Sequence, residues 1–172
     1  MPELTPPAPT PRSNEPQAAT SPLRLCVRRG RSAGSSGALI EVSLRVPSDV
    51  GCVEEVVDLL IRHCCSGTGS SRRFRFKLRV AVAEALANAI VAGNGEDRNK
   101  SVLVRAELLA DTIRIHVTDE GVGFDPASIQ EPLLPDDLER PNGRGLYLIR
   151  NLVDHVQFNP QGNSICMTLR RR

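Results

Sequence analysis

Glu84 and Asn88 stand four residues apart in a run, Ala83 to Val91, that is otherwise apolar. On a helix that spacing puts both side chains on one side. A carboxylate beside an amide carbonyl offers oxygen donors suited to a hard cation such as magnesium, which keeps several waters and sits against phosphate. The same pair also fits the solvated side of an amphipathic helix, although polar groups in so apolar a run call for partners.

Two further motifs follow in the chain. Asp119-Glu120-Gly121-Val122-Gly123 comes directly after a strand-like run that ends at Thr118, so Asp119 lies at a rim. A carboxylate there can accept a hydrogen bond from an exocyclic amine such as that of adenine, and glycines let backbone lie close to a planar ring. Asp and Gly are equally the residues of a plain turn. Gly143-Arg144-Gly145-Leu146 opens a helix-like run. Free N–H groups at a helix start attract phosphate. Arg144 can clamp a phosphate or lie in solvent, and a glycine-rich helix start is the plainer reading. Each motif alone is weak. In this order, within one small domain, they describe a pocket for a purine nucleotide, its metal and its phosphates.

The elements that must position them are legible as periodicities. Ile40, Val42, Leu44 and Val46 alternate with Glu41, Ser43 and Arg45, the period of a half-buried strand. Pro47 ends it, and Ser48 or Asp49 can cap a helix carrying Val53, Val56, Val57, Leu60 and Ile61. A longer helix is expected over 72–92, with Leu78, Val82, Ala85, Leu86 and Ala89 on its core side and Lys77, Glu84 and Asn88 on another. Gly93, Asn94 and Gly95 stop it. Alternation resumes at Val102–Leu108 and Ile113–Val117, joined by an Ala110-Asp111 turn, and a last hairpin surrounds Pro160-Gln161-Gly162-Asn163. Residues 124–142, with four prolines, read as a long irregular loop of functional kind. Amphipathic strands argue for an α+β, two-layer sandwich: a mixed, mostly antiparallel sheet with helices on one face. The expected division is a disordered Pro/Ser/Arg-rich segment over 1–37 and one domain over 38–172.

Composition narrows the classes. A net charge of +2 is too small to imply nucleic acid, and no apolar run approaches the roughly 20 residues of a membrane span. The five cysteines are odd in number and lack C-x-x-C spacing, which argues against a disulfide framework or structural zinc and for a reduced, cytoplasmic chain. The N-terminus, rich in proline, does not read as a signal peptide. His63, His116 and His155 are the only histidines. His63 lacks the helical context of a phosphoacceptor, and the other two read as ordinary surface residues.

The three motifs resemble the N, G1 and G2 boxes of the GHKL ATPase superfamily. The carrying residues are Glu84-Ala85-Leu86-Ala87-Asn88-Ala89-Ile90, Asp119-Glu120-Gly121-Val122-Gly123-Phe124-Asp125, and Gly143-Arg144-Gly145-Leu146-Tyr147-Leu148-Ile149-Arg150. Over about residues 38–169 the chain is similar to the anti-sigma-factor serine kinases of the RsbW type. That resemblance implies the Bergerat, or histidine-kinase-like ATPase, fold. It implies ATP and magnesium as cofactors, with Asn88 holding the metal and Asp119 reading adenine. Gly121 and Gly123 would line the base, while Gly143, Arg144 and Gly145 would meet the phosphates. Glu84 would be the catalytic residue, orienting or deprotonating a serine hydroxyl on an anti-sigma factor antagonist of the STAS type. The loop 124–142 would be a lid over ATP. A sequestered sigma factor and a homodimer are implied as well, with no direct contact to nucleic acid or membrane. Where the family often has a histidine four residues after its asparagine, this chain has Ala92. The alternative reading is a nucleotide-binding regulatory module that holds a partner without turnover.

Overall fold

The computed structural model describes residues 23–29, 40–65, 70–128 and 143–171. The alternating runs become strands: β1 (Arg24–Arg29), β2 (Ile40–Pro47), β3 (Ser101–Leu108), β4 (Thr112–Thr118), β5 (His155–Phe158) and β6 (Ser164–Arg170). They form one six-stranded sheet in the order β1-β2-β3-β4-β6-β5. Every ladder among the described strands is antiparallel, in line with the mostly antiparallel sheet expected. Register puts Val42, Ala106, Ile115 and Met167 in one row across four strands, and each is fully buried. Period-two alternation thus converts directly into one apolar sheet face.

Three helices cover that face: α1 (Val53–Cys64), α2 (Arg72–Asn88) and α3 (Gly143–Leu152). Val56, Val57 and Leu60 of α1, Phe74, Leu78, Val82 and Leu86 of α2, and Ile149 of α3 join the strand residues in a single core. Asp49 caps a short 3-10 turn, Val50–Cys52, that precedes α1, by accepting from the Gly51 N–H at 2.9 Å. Ser71 caps α2, its Oγ accepting from the Phe74 N–H at 3.1 Å. Burial pushes the Cys64 thiol up to about 12, so it serves as a neutral core group. The other sheet face is polar. Arg105 bridges Glu41 and Glu107, and Arg114 reaches Glu107 from the next strand. His116 lies beside Cys166 there, and burial lowers its pKa. No helix among the described residues is long and apolar enough to cross a membrane.

Two elements differ from expectation. Strand β1 lies inside the segment 1–37 for which disorder was expected, and it pairs with β2 along its whole length. Its alternation of Leu23, Leu25 and Val27 with Arg24, Cys26 and Arg28 is masked by the arginine content. Charged residues on an edge strand protect the edge from further pairing, so this composition suits the position. The second difference concerns the helix expected over 72–92. It is α-helical only to Asn88 and continues as a π-helical turn, Ala89–Gly93. The Asn94 N–H donates to the Ala89 carbonyl at 2.8 Å, five residues back, which widens the last turn. The greater part of the loop 124–142 lies outside the described residues, and with it the expectation of a lid.

Candidate active site

Glu84 and Asn88 project from the last turns of α2 toward α3, and each is partly buried. The start of α3 closes on them. A Cβ at Gly145 would lie 2.8 Å from Glu84 Oε2 and 3.1 Å from Asn88 Nδ2, so glycine lets the α3 backbone approach with both side chains in these positions. The first and third motifs therefore meet at one point. Gly143 begins α3, and Arg144 is exposed beside it. The first turn of α3 thus lies beside a carboxylate and an amide, with the backbone N–H groups of a helix start available to an anion.

The π-helical turn joins the first motif to the second. It delivers Gly93 against Asp119, where a Cβ on the glycine would stand 2.4 to 2.7 Å from the carboxylate atoms. Gly121 closes the same corner. Its own Cβ would fall 2.1 Å from the Gly93 carbonyl oxygen. Asp119 Oδ1 accepts from the Gly121 N–H at 2.8 Å. The Asp119 N–H donates to the Asn163 carbonyl at 3.0 Å, and Asn163 Nδ2 returns a bond to the Asp119 carbonyl. Burial raises the Asp119 pKa from its ordinary value, and the Gly121 N–H offsets part of that rise. Gly123 lies on the far side of this corner. With φ at +75° it packs against the Gln161 carbonyl of the β5–β6 turn, while Gly162, also at +75°, packs against Phe124. Phe124 and Phe158 stack edge to face at 5.3 Å beneath it. Val122 is 94% exposed, leaving an apolar side chain standing at the rim.

Asn94 completes the arrangement and was read in the sequence only as part of a helix stop. It is 3% exposed. Its Nδ2 donates to the Ser101 carbonyl at 3.2 Å, and its Oδ1 accepts from the Glu120 N–H at 2.8 Å. Glu120 in turn accepts from Ser101 Oγ at 2.6 Å and pairs with Arg45 at 3.0 Å. Asn94 thereby ties the π-helical turn to the start of β3 and to the residue after Asp119. A Gly-Asn-Gly stop carries no mark that separates this role from an ordinary turn.

Glu84, Asn88 and Gly145 form one cluster, Gly93, Asp119 and Gly121 another, and the two sit on successive turns at the same end of α2. No group of three or more His, Cys, Asp or Glu side chains able to hold a metal occurs among the described residues. A cation here would rest on the Asn88 carbonyl with other ligands from a phosphate and water, the manner in which magnesium is commonly held.

The family described as the histidine kinase-like ATPase domain matches residues 46–169. The chain is 34% identical over 121 residues to the serine-protein kinase RsbW of Bacillus subtilis, covering 63% of this chain and 75% of that protein. It is 27% identical over 139 residues to the serine-protein kinase RsbW of Bacillus cereus strain G9842, covering 74% of this chain and 83% of that one. The chain belongs to the histidine kinase-like ATPase domain family, in the branch of the RsbW-type proteins.

Proposed function

We propose that this protein is an ATP-dependent serine/threonine kinase that phosphorylates the antagonist of an anti-sigma factor and itself sequesters a sigma factor. The observation that carries the reading is the contact of Gly145 with Glu84 and Asn88, which joins a helix start to a carboxylate and an amide carbonyl. Phosphoryl transfer asks a protein chiefly for positioning and charge neutralisation. Asn88 would hold magnesium, which would supply neutralisation of the phosphate charge. Backbone N–H groups at Gly143 and Gly145, with Arg144, receive the phosphates. Asp119 accepts from the adenine amino group, with Gly121 and Gly123 shaping the base side. Glu84 orients the substrate serine and accepts its proton as the γ-phosphoryl group passes to the serine oxygen and ADP leaves. The partners are a sigma factor and a STAS-type antagonist, the chain acts as a homodimer, and the compartment is the cytoplasm.

A module that binds a partner without turnover is not favoured, because the relatives that match over most of their length are serine-protein kinases by name. Incubation of the purified protein with labelled ATP and candidate antagonists tests the proposal. Phosphoserine is the expected product. Glu84→Ala should lower its formation by about 10²-fold or more while ATP still binds. Full partner control and unchanged turnover in that variant would remove the catalytic assignment.

A further inference from the structure

Opposite its buried side, α2 carries a second apolar stripe. Phe76, Val80 and Ala87 follow at helical spacing on the side turned away from Leu78 and Ala85, with Ala83, which packs partly against the core, beside them. Phe76 is 60% exposed, and Val91, one turn further on, is 47% exposed. Among the described residues, nothing covers Phe76 and Val91 fully, so part of this second apolar side of α2 is open. The same helix is unbalanced in charge. It carries Arg72, Arg73, Arg75, Lys77 and Arg79 in its N-terminal half and a single carboxylate, Glu84. Cations at a helix N-terminus oppose the macrodipole, and no acidic residue stands in the first turn of α2. Arg79 is neutralised by Glu54 and Asp58, and Arg75 donates to the Cys65 carbonyl. No salt bridge among the described residues engages Arg72, Arg73 or Lys77.

We infer that this face is a docking surface for an acidic amphipathic helix of a partner protein. Phe76 is the aromatic anchor, Val80 and Ala87 are the floor, and Arg72, Arg73 and Lys77 are the rim that meets carboxylates on the flanks of the incoming helix. Charge selects this occupant. A second copy of the chain would bring the same cationic stripe, whose only carboxylate on α2 is Glu84, whereas an acidic helix also relieves the unfavourable charge at the α2 N-terminus. The inference stands apart from the nucleotide reading, since none of these residues belongs to the site described above.

The test uses two fluorescein-labelled helix-forming peptides, with leucines on one side and either glutamates or lysines on the flanks, titrated with the full chain and followed by anisotropy. The glutamate peptide is expected to bind at least tenfold more tightly than its lysine twin. Phe76→Glu should weaken it tenfold or more, and the double variant Arg73→Glu, Lys77→Glu should reverse the preference between the peptides. Thermal melts accompany each variant. Because Phe76 is exposed the fold should persist, and if Phe76→Glu proves unstable the charge reversal decides alone. Equal binding of the two peptides, no binding of either, or indifference to the rim reversal would overturn the inference. So would concentration-dependent self-association of the parent that Phe76→Glu abolishes.

Discussion

Gly145 and Gly121 occupy tight corners of different kinds. The obstacle at Gly145 is the end of two side chains, Glu84 and Asn88, which can swing aside. The obstacle at Gly121 is the Gly93 carbonyl, which is backbone and cannot. Gly145→Ala should therefore leave the melting temperature nearly unchanged but displace both polar groups, and isothermal titration should record a loss of magnesium-dependent ATP affinity. Gly121→Ala should cost about 1–3 kcal/mol of stability by overpacking, measured by denaturant unfolding. Asp119 offers a separate test through its ionisation. Its pKa is raised in the folded chain. Between the unfolded and folded pKa values the folded state binds more protons, so stability falls as pH rises through that window and the cost persists at neutral pH. Asp119→Asn keeps an oxygen for the Gly121 N–H and removes the charge. It should match or exceed the parent in stability at pH 7, and this difference should vanish at pH below both pKa values, while ATP affinity at pH 7 drops. A less stable variant at pH 7 would contradict the assignment of burial as the cause.

Among the elements, the π-helical turn Ala89–Gly93 is the one that makes a site out of separate motifs, because it carries the chain from Asn88 to the Gly93 contact with Asp119. Asn94 holds the turn in place. Asn94→Ala would strip two hydrogen bonds from a buried position, leaving the Glu120 N–H and the Ser101 carbonyl without that partner. A loss of about 1–3 kcal/mol follows, visible as a lower denaturation midpoint, with ATP affinity falling as Asp119 loses its fixed neighbour. Asn94→Asp retains the acceptor for the Glu120 N–H but turns a buried oxygen toward the Ser101 carbonyl, and it should not recover the lost stability at neutral pH. This turn also marks where the sequence stops being readable. Strands β2, β3 and β4 were legible because Val42, Val104 and Ile115 recur with strict period two on a face that must be buried. Glu84, Asn88 and Asp119 stood out as candidates by residue type and spacing. The π-helical widening was not, since Ala-Ile-Val-Ala-Gly has no feature that distinguishes i−5 from i−4 bonding. The choice is made by tertiary contact with Asp119 and Asn94, which no local pattern carries.

At the scale of the whole molecule, the sheet separates two duties. The C-terminal end of β4 and the helices beside it hold the candidate site, whereas β1, at the far edge of the sheet, contributes no residue to it. Six register pairs join β1 to β2, with Val27 opposite Val42 and Leu25 opposite Leu44, and Val27 packs against the core. Removing residues 1–29 would turn β2 into the edge and bare a strand whose Val42, Leu44 and Val46 are fully buried in the intact chain. An uncovered edge of that kind invites pairing between molecules, and the arginines of β1 that discourage it would be gone. The truncated chain should melt at lower temperature and show concentration-dependent aggregation in light scattering. Its ATP affinity at temperatures well below the melt should stay within about threefold of the parent, because additivity holds for sites that share no partner. Equal loss of affinity and stability would mean instead that the edge strand and the site are coupled across the sheet. The carrier would then be Arg45 of β2, which pairs with Glu120 directly beside Asp119, and charge reversal of that pair would expose the coupling.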